Sequence, residues 1–247
     1  VTGASTGSVT EDFGPDEQDT GNLDHTDVDD EDANDEWVAQ TDTVGTYGKL
    51  SITTAGAWTY TLSDSDSDTN ILDQGDTPTD VFSVSTSGGD STNVTITVNG
   101  ANDAPTDITM SDQNVNENAG ANAPVSFLST TDVDDAASHT YSFVAGTGDT
   151  DNAEFVITGG NVLRIASSPD FETKSSYSIR IQTDDGAGGT YVEAFTISVN
   201  DLNDVAPTIT SASTASVAEN ATAVLTVTST DTDTVGPSHT YSITGVG

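Results

Sequence analysis

The stretch "EAFTISVNDLNDVAP", residues 193 to 207, combines the two patterns that decide the fold of this chain. In its first half, up to residue 199, apolar and polar residues alternate, which indicates a β-strand with one buried face. Its second half is an acidic turn that ends at Pro207, and proline favours an extended backbone where the next segment begins. The stretch is therefore predicted to end one β module and to begin the next.

The same alternation recurs along the chain, at residues 50 to 54, 57 to 62, 93 to 98 and 177 to 183. Val, Ile, Thr and Tyr fill these segments, Gly and Asp separate them, and no segment keeps a helical period over several turns. Several short strands in modules of roughly 100 residues are typical of β-sandwiches in tandem. We therefore predict an all-β chain of Ig-like β-sandwich modules in a linear array.

Internal repeats support this division into modules. An acidic string recurs as "TDVDD" at 26 to 30, "TDVDD" at 131 to 135 and "TDTDT" at 230 to 234. Each copy follows a short motif at a similar distance: "VTED" at 9 to 12, "VNEN" at 115 to 118 and "VAEN" at 217 to 220. The predicted modules are residues 1–103, 104–205 and 206–247, with boundaries at "NGANDAP" (99–105) and "NDLNDVAP" (200–207).

The third predicted module, residues 206 to 247, is the N-terminal part of a repeat and holds too few strands to close a sandwich. Two explanations fit the sequence. Either the parent repeat protein has been truncated here, or a strand from a neighbouring chain completes the module and mediates self-association. Strands supplied by a second chain would favour the latter.

Composition limits the partners that this chain can have. Its 247 residues include 41 acidic and only 4 basic side chains, for a net charge of −37, so nucleic acid and anionic membranes are poor partners. The absence of cysteine excludes a disulfide framework and a thiolate metal site. No apolar run approaches the roughly 20 residues that span a bilayer, so no membrane insertion is expected. The abundance of Thr, Ser, Asp, Asn and Gly indicates an extracellular or cell-surface protein.

The acidic strings predict cation sites. In an extended segment, residues two positions apart point to the same side, so Asp132 and Asp134 can present both carboxylates to one point. Converging carboxylates repel one another unless a cation lies between them. Oxygen ligands in flexible loops favour a hard cation of high coordination number, and this description fits Ca²⁺ better than Mg²⁺ or Zn²⁺. The three histidines, His25, His139 and His239, do not cluster in sequence and are interpreted as structural.

Residues 104 to 205 resemble a bacterial cadherin-like domain. The resemblance rests on "VNEN" at 115 to 118, "DVD" at 132 to 134, "PDFETKSSYSIRIQTDDG" at 169 to 186 and "DLNDVAP" at 201 to 207. Residues 1 to 103 resemble the VCBS repeat of large bacterial surface proteins, through "YGKLSITTAGAWTYTL" and "VFSVSTSGGDSTNVTITVNGANDAP". That family usually has Asp-Gly where this chain has Ser87-Gly88, so one expected carboxylate is absent.

The resemblance implies calcium ions at the junctions between modules. At the second junction the implied ligands are Glu117, Asp170, Glu172, Asp201, Asn203, Asp204, Asp231 and Asp233, with the main-chain carbonyls of Leu202 and Val205. At the first junction they are Glu11, Asn102, Asp103, Asp132, Asp134 and Asp184. Gly100 occupies the place of the first linker aspartate there, and no clear equivalent of the acidic pair at 170 and 172 precedes it. We therefore expect fewer calcium ions at the first junction than at the second.

The function that these patterns favour is structural. We expect a stalk segment of a large secreted or surface-anchored bacterial adhesin, stiffened by calcium and supporting cell or biofilm adhesion. The alternative is a calcium-dependent module for homophilic adhesion or for binding surface polysaccharide. Trp37 is the candidate for an exposed contact to sugar, whereas Trp58 is expected in the core. An acidic surface could also be an adaptation to salty surroundings, without specific sites.

No enzymatic activity is expected. "GGDST" at 88 to 92 resembles the surroundings of some nucleophilic serines, but no histidine has independent support as its base. A glycosidase would need a pocket between two carboxyl groups, and no insertion that could form one is visible. The run "DSDSDTN" at 64 to 70 lacks the central Gly and terminal Glu of an EF-hand loop, and is interpreted as a polar hairpin turn.

Overall fold

The computed structural model describes residues 1–14, 17–25, 36–134, 139–222, 224–236 and 238–244, which form strands joined by turns and irregular loops. The first half of the chain contains β1 (Thr2–Gly3), β2 (Thr6–Thr10), β3 (Gln18–Asp24), β4 (Gln40–Val44), β5 (Gly48–Ile52), β6 (Ala57–Leu62), β7 (Thr79–Ser85) and β8 (Ser91–Asn99). The second half contains β9 (Asp107–Met110), β10 (Asn114–Asn116), β11 (Pro124–Thr131), β12 (Thr140–Phe143), β13 (Phe155–Thr158), β14 (Val162–Ile165), β15 (Ser176–Asp184), β16 (Thr190–Asn200), β17 (Thr208–Ile209) and β18 (Ser229–Thr230). A short 3₁₀ helix, Asn152–Glu154, precedes β13. The prediction of an all-β fold is confirmed.

The chain divides into two compact units. The first consists of residues 1–107, 130–140 and 183–191, and the second of residues 108–129, 141–182 and 192–247. The division into modules at residues 103 and 205 stays a prediction. The acidic string at 26 to 30 lies outside the described residues, as does Asp135 of the string at 131 to 135.

Two sheets enclose the core of the first unit. One has the strand order β1-β3-β6-β5-β4 and the other the order β2-β8-β7. Strict alternation places Trp58, Tyr60 and Leu62 of β6 in the core, each 1% exposed or less, opposite Ile96 and Val98 of β8. The two sheets therefore pack as a β-sandwich around the apolar faces that the sequence predicted.

A buried carboxylate helps to hold this sandwich together. Asp80, 3% exposed on β7, accepts hydrogen bonds from the backbone amides of Thr46 (2.7 Å), Tyr47 (3.0 Å) and Gly48 (3.1 Å) and from the Tyr60 hydroxyl (2.8 Å). Burial raises the pKa of the Tyr60 hydroxyl, and the bond to the carboxylate adds to that effect. Because both Asp80 oxygens have partners, this acid has a structural role and offers no free oxygen to an ion.

Two four-stranded sheets follow along the chain, with the orders β10-β16-β15-β12 and β13-β14-β11-β9. Their alternating apolar residues are buried: Ile179 and Ile181 of β15, Ile197 of β16, and Leu163 and Ile165 of β14 are 1% exposed or less. In each sandwich a short early strand pairs in parallel with the last long one, β2 with β8 and β10 with β16. This shared topology is the structural form of the sequence repeat.

The described residues beyond 206 form one small sheet, in which β17 pairs with β18. Most of their side chains are exposed, including Ile209, Leu225 and Ile243. The interpretation of this segment as the first part of a third module stays a prediction.

Two interpretations of particular residues are wrong. Trp37 is 4% exposed, bridges Thr86 and stacks on His25 with ring centroids 6.3 Å apart, so it offers no exposed aromatic surface for a sugar. Trp58 is in the core, as predicted. The turn at 64 to 70 does not form a hairpin, because β6 and β7 belong to different sheets and the turn carries the chain from one to the other. Among the described residues, no helix is long and apolar enough to cross a membrane.

Candidate metal centres

Acidic side chains gather at two places, which we call the first and second acidic centres in chain order. The second acidic centre, described first, consists of Glu117, Glu172, Asp201, Asp204 and Asp233. Glu117 directly follows β10 and is 1% exposed. Its Oε1 accepts a hydrogen bond from the Leu202 amide (2.5 Å) and its Oε2 accepts one from the Phe171 amide (2.9 Å). The carboxylate therefore connects the strand end, the linker after β16 and the loop before β15.

Carboxylate oxygens converge at this centre. One oxygen each of Glu117, Glu172 and Asp201 lie within 4.8 Å of one another, and so do one oxygen each of Glu172, Asp204 and Asp233. Partial desolvation, together with the negative charges of Glu117, Asp233 and Asp204, raises the pKa of the exposed Glu172 to about 6. Without a metal, the ionised form of the Glu172 carboxylate is therefore disfavoured, and a bound cation would favour it.

Two carboxylates of this centre have one oxygen fixed and one without a partner. Asp233 Oδ2 accepts hydrogen bonds from the Val205 amide and from Asn203 Nδ2, both at 3.1 Å. Asp201 Oδ2 accepts hydrogen bonds from the amide and hydroxyl of Thr234. The Oδ1 atoms of both residues are buried without a hydrogen-bond partner. A buried, unpaired carboxylate oxygen is costly, and a bound cation would compensate it.

The first acidic centre is defined by Glu11, Asp12, Asp103, Asp132 and Asp134. Glu11 follows β2, is 3% exposed and accepts a hydrogen bond from the Ala101 amide (2.8 Å) through Oε1. Asp134 is 5% exposed, and its Oδ2 accepts a hydrogen bond from the Asp103 amide (2.6 Å). The Oδ1 atoms of Asp132 and Asp134 are buried without a partner, as at the second centre.

Electrostatic repulsion is pronounced at the first centre. Burial raises the pKa of Glu11 to about 7 and the pKa of Asp103 to about 6, and neighbouring carboxylates contribute to both shifts. The pKa of Asp134 is also raised, by burial and by the charges of Asp132, Asp73 and Asp12. All of these candidate ligand atoms are oxygens, and the ammonium group of Lys174 pairs with Asp151, outside both centres. The donor set fits a hard cation such as Ca²⁺.

A histidine contacts one aspartate of each of the two later acidic strings, at 131 to 135 and at 230 to 234. His139 Nε2 lies 2.9 Å from Asp132 Oδ2, and His239 Nε2 lies 3.4 Å from Asp231 Oδ2. The interpretation of these histidines as structural did not foresee that they contact carboxylates of the predicted sites. The signal was present, because "SHTYS" follows the acidic string in both repeats, at 138 to 142 and 238 to 242.

The structure brings together part of the predicted ligand set. Asp231 Oδ1 accepts a long hydrogen bond of 3.4 Å from the Asp233 amide, and Asp204 accepts one from Asn118. Leu202 and Val205 contribute amides to the second centre through the bonds given above. Both carboxylate oxygens of Asp170 accept hydrogen bonds from Thr173, in the same loop. The identity of the ligands at this centre stays a prediction.

At the first centre, two predicted residues face other partners. Asp184 accepts a hydrogen bond from the Gly186 amide (2.8 Å) in its own turn. Asn102 Nδ2 donates to the carbonyl of Asp103 (2.8 Å) and to Oδ2 of the buried Asp185 (3.0 Å). Asp12, which was not predicted, adds a negative charge that helps to raise the pKa values of Glu11, Asp103 and Asp134, and its amide donates to Asp64 Oδ1 (2.9 Å).

No protein-family profile and no curated protein sequence matches this chain. The solved structures that are similar to this chain include cadherin extracellular domains. Extracellular domains 3–6 of protocadherin Gamma B2 are 18% identical, with 92% of this chain and 54% of that chain covered and a TM-score of 0.55. The human desmocollin-1 ectodomain is 17% identical, with 92% and 44% covered and a TM-score of 0.54. Domains EC22–24 of mouse cadherin-23 are 19% identical, with 92% and 74% covered and a TM-score of 0.53. The chain thus has a cadherin-like β-sandwich fold and spans about half the length of the first two structures.

Proposed function

We propose that this chain is a calcium-stiffened structural segment of the stalk of a large secreted or surface-anchored bacterial adhesin. The observation that carries the proposal is the recurrence, at both acidic centres, of buried aspartate oxygens without a hydrogen-bond partner. In Asp134, Asp201 and Asp233 the other oxygen of the same carboxylate is already held by a backbone amide. Each of these side chains is therefore oriented before any ion binds.

These carboxylates, and the glutamates beside them, accept hydrogen bonds from the backbone amides of the linkers. At the first centre, Glu11 accepts a hydrogen bond from the Ala101 amide and Asp134 accepts one from the Asp103 amide, in the linker between β8 and β9, residues 100 to 106. At the second, Glu117 holds the Leu202 amide and Asp233 holds the Val205 amide. Bound calcium would supply the positive charge that these carboxylates share, through six to eight oxygen ligands. With that charge in place the same hydrogen bonds fix the linker, and without it the carboxylates repel one another.

An extracellular setting suits this mechanism. Extracellular modules bind calcium at roughly 10⁻⁴ to 10⁻³ M, so the linkers would be ordered outside the cell and loose in a compartment with little calcium. The cadherin-like fold and the acidic composition support an adhesion protein with calcium as its cofactor and without nucleic-acid or membrane partners. The bacterial origin rests on the sequence resemblance to cadherin-like and VCBS modules.

A homophilic adhesion module remains the alternative function. The exposed apolar side chains beyond residue 206, such as Ile209 and Ile243, favour self-association over sugar binding. The burial of Trp37 removes the aromatic contact on which the polysaccharide hypothesis depended. Mass measurement by light scattering separates the two functions, because a stalk segment stays monomeric in calcium and a homophilic module does not.

Small-angle scattering at constant ionic strength tests the stalk function. We expect a longer maximum dimension and a less flexible chain in calcium than in chelator. The double variant Asp134→Asn/Asp233→Asn should lose this response, whereas the control Asp42→Asn/Asp90→Asn, which removes two exposed carboxylates, should keep it. An unchanged maximum dimension of the unsubstituted chain would contradict the proposal.

A further inference from the structure

The strand β2 is the outermost strand of its sheet. On its inner side it pairs in parallel with β8, from Thr6 opposite Thr95 to Thr10 opposite Asn99. The ladder continues past the strand, because the Glu11 amide donates to the Asn99 carbonyl (3.1 Å). The outer side of an edge strand usually presents a row of unpaired amides and carbonyls, which can pair with another chain. In this protein the outer amides of β2 are occupied as well.

Carboxylate side chains occupy these outer amides. Every second amide along the segment donates to a carboxylate oxygen: Ser8 to Asp19 (2.7 Å), Thr10 to Glu17 (2.9 Å) and Asp12 to Asp64 (2.9 Å). Asp19 belongs to β3 and Glu17 directly precedes it, so these two side chains come from the other sheet of the sandwich. Hydrogen bonds to an ionised acceptor are roughly twice as strong as those between neutral groups. The carboxylates therefore take the place of a neighbouring strand.

A glycine makes room for one of these carboxylates. A Cβ atom on Gly7 would lie 2.6 Å from Asp19 Oδ2 and 2.9 Å from the Trp58 ring. A larger residue at position 7 would therefore push the Asp19 carboxylate away from its amide partner. The Trp58 indole donates in turn to the Ala4 carbonyl (2.7 Å), where the chain crosses from β1 to β2. The segment that enters the first unit is thus fixed at this crossing and along both sides of β2.

The strands β2 and β8 carry the chain into and out of the first unit, and they point the same way. The chain enters β2 at Thr6 and leaves β8 at Asn99, at opposite ends of the parallel pair. Tension along the chain would pull these two ends apart in the direction of the strands. The hydrogen bonds of the ladder run across the pair, so they would be loaded together. Bonds that are pulled from one end, in contrast, break one after another.

We propose that β2 is the force-bearing strand of the first unit, clamped by β8 on its inner side and by the carboxylates of Glu17, Asp19 and Asp64 on its outer side. Sliding of β2 past β8 must also break the bonds to these carboxylates, so the side chains add to the barrier against unfolding under tension. This inference rests on the proposed function, since a stalk segment is loaded along its chain.

The second unit has a shorter version of this arrangement. Its strand β10 pairs in parallel with β16 and is three residues long, against five for β2. The Asn114 amide donates to Asp112 Oδ1 (3.0 Å), in the turn before the strand. Within the described ranges of the chain, no carboxylate of another strand accepts a hydrogen bond from a β10 amide. The carboxylate lock on the outer side is therefore a feature of the first unit and does not follow from the shared topology alone.

Single-molecule force spectroscopy on the full chain tests the clamp. Because the sequence contains no cysteine, two introduced cysteines define where the force is applied. Val1→Cys with Asp107→Cys loads the pair of β2 and β8 from opposite ends, whereas Val1→Cys with Asp90→Cys loads it from the same end. We expect the opposite-end geometry to need at least about twofold more force, because the ladder bonds are loaded together. Equal unfolding forces in the two geometries would overturn the proposal.

Substitution of the carboxylates tests the outer side of the clamp. We expect Glu17→Ala/Asp19→Ala to raise the rate of unfolding at a given force, in the opposite-end geometry, by at least about tenfold. Glu17→Gln/Asp19→Asn keeps an acceptor oxygen at each position and should recover most of this loss. The control Asp66→Ala/Asp68→Ala removes two exposed carboxylates of the same unit and should leave the rate unchanged. An alanine variant that unfolds at the rate of the unsubstituted chain would overturn the role of the carboxylates.

The same-end geometry separates a mechanical role from a general effect on stability. There the alanine variant should differ little from the unsubstituted chain, because the bonds of β2 break in succession. Equal acceleration in both geometries would indicate a general loss of stability and would overturn the proposal. All of these measurements are made in chelator, so they do not depend on bound calcium. If the scattering experiment shows no response to calcium, the proposed function fails although the clamp can still be measured, and equal unfolding forces beside a normal calcium response overturn the clamp alone.

Discussion

His139 Nε2 lies 2.9 Å from Asp132 Oδ2, and the other oxygen of that carboxylate is buried without a partner. Since a carboxylate only accepts hydrogen bonds, the imidazole donates, and it fixes the orientation of Asp132. His239 and Asp231 form the corresponding pair in the next repeat, with His239 Nε2 3.4 Å from Asp231 Oδ2. In the proposed calcium sites the histidines would act as positioning residues, in the way that outer hydrogen bonds orient metal ligands.

Replacing His139 should therefore weaken calcium binding at the first centre only. In a calcium titration followed by NMR, the Ala101 amide reports on the first centre because it donates to Glu11. We expect His139→Ala to raise the calcium concentration at the midpoint of this titration by roughly tenfold, because the Asp132 side chain loses its hydrogen bond. His139→Gln retains a donor and should recover most of the affinity. Equal effects of the two substitutions would show that the hydrogen bond to Asp132 does not orient the ligand.

The stability of the metal-free protein should fall as the pH rises. The pKa of Glu11 is raised from 4.5 to about 7 in the folded chain, so the folded state binds its proton more tightly than the unfolded state does. Its contribution is fully present below pH 4.5 and is lost as the pH rises through about 7. In chelator, we expect the melting temperature to decrease over this range, and Glu11→Gln to reduce the decrease.

Glu154→Gln is the control for this pH dependence, because Glu154 is an exposed glutamate outside both acidic centres. It should leave the slope of melting temperature against pH as it is in the unsubstituted chain. A slope that Glu11→Gln does not change would show that this residue is not the group that titrates. Saturating calcium should also flatten the slope, since the ion favours ionised ligands.

Asp80 should contribute to the stability of the fold and should not contribute to calcium binding. Asp80→Ala removes the acceptor of four hydrogen bonds in the core of the first unit, so we expect it to lower the free energy of unfolding by at least about 3 kcal/mol. Denaturation in chelator measures this loss, and the exposed Asp90→Ala should cause almost none. A loss that appeared only in calcium would place Asp80 among the ligands and contradict its structural role.

Placing an aspartate at position 100, where the linker pattern has one, should destabilise the protein. The new Cβ would lie 2.3 Å from the Asp73 carbonyl, so Gly100→Asp should lower the melting temperature in chelator by an amount corresponding to about 1–3 kcal/mol. Ala101→Asp, next to it in the linker, adds the same charge without that clash and is the control. A Gly100→Asp variant that folded normally and bound calcium more tightly would contradict the packing argument.

The sequence was informative wherever a local pattern determines a structure. The alternation in "AWTYTL" predicted the strand Ala57–Leu62 and the burial of Trp58, because side chains in a strand alternate between two faces. It did not predict the place of that strand in the sheet, since β3 and β5 flank β6 and the next strand lies in the other sheet. That arrangement depends on packing between distant segments, which is why the turn at 64 to 70 was mistaken for a hairpin.

At the acidic centres too, the sequence predicted what local patterns determine and missed what depends on packing between distant segments. The repeat identified Glu11, Asp134, Glu117 and Asp233 as candidates, because equivalent positions recur at a fixed spacing. Asp12 was not predicted, although its charge helps to raise the pKa values of Glu11, Asp103 and Asp134. Trp37 was misjudged because it follows an acidic run, yet its ring packs in the core with Leu23 and Ile52.

Thermal unfolding of the unsubstituted chain at constant ionic strength, in calcium or in sodium chloride alone, is the most direct test of the central claim. If the carboxylates of both centres ligate calcium, the melting temperature should rise steeply with calcium between roughly 10⁻⁴ and 10⁻³ M. Sodium chloride of equal ionic strength should give only the small, gradual increase that screening of the net charge provides. Equal stabilisation by the two salts would contradict the account and leave a general adaptation to salt as the reason for the acidic composition.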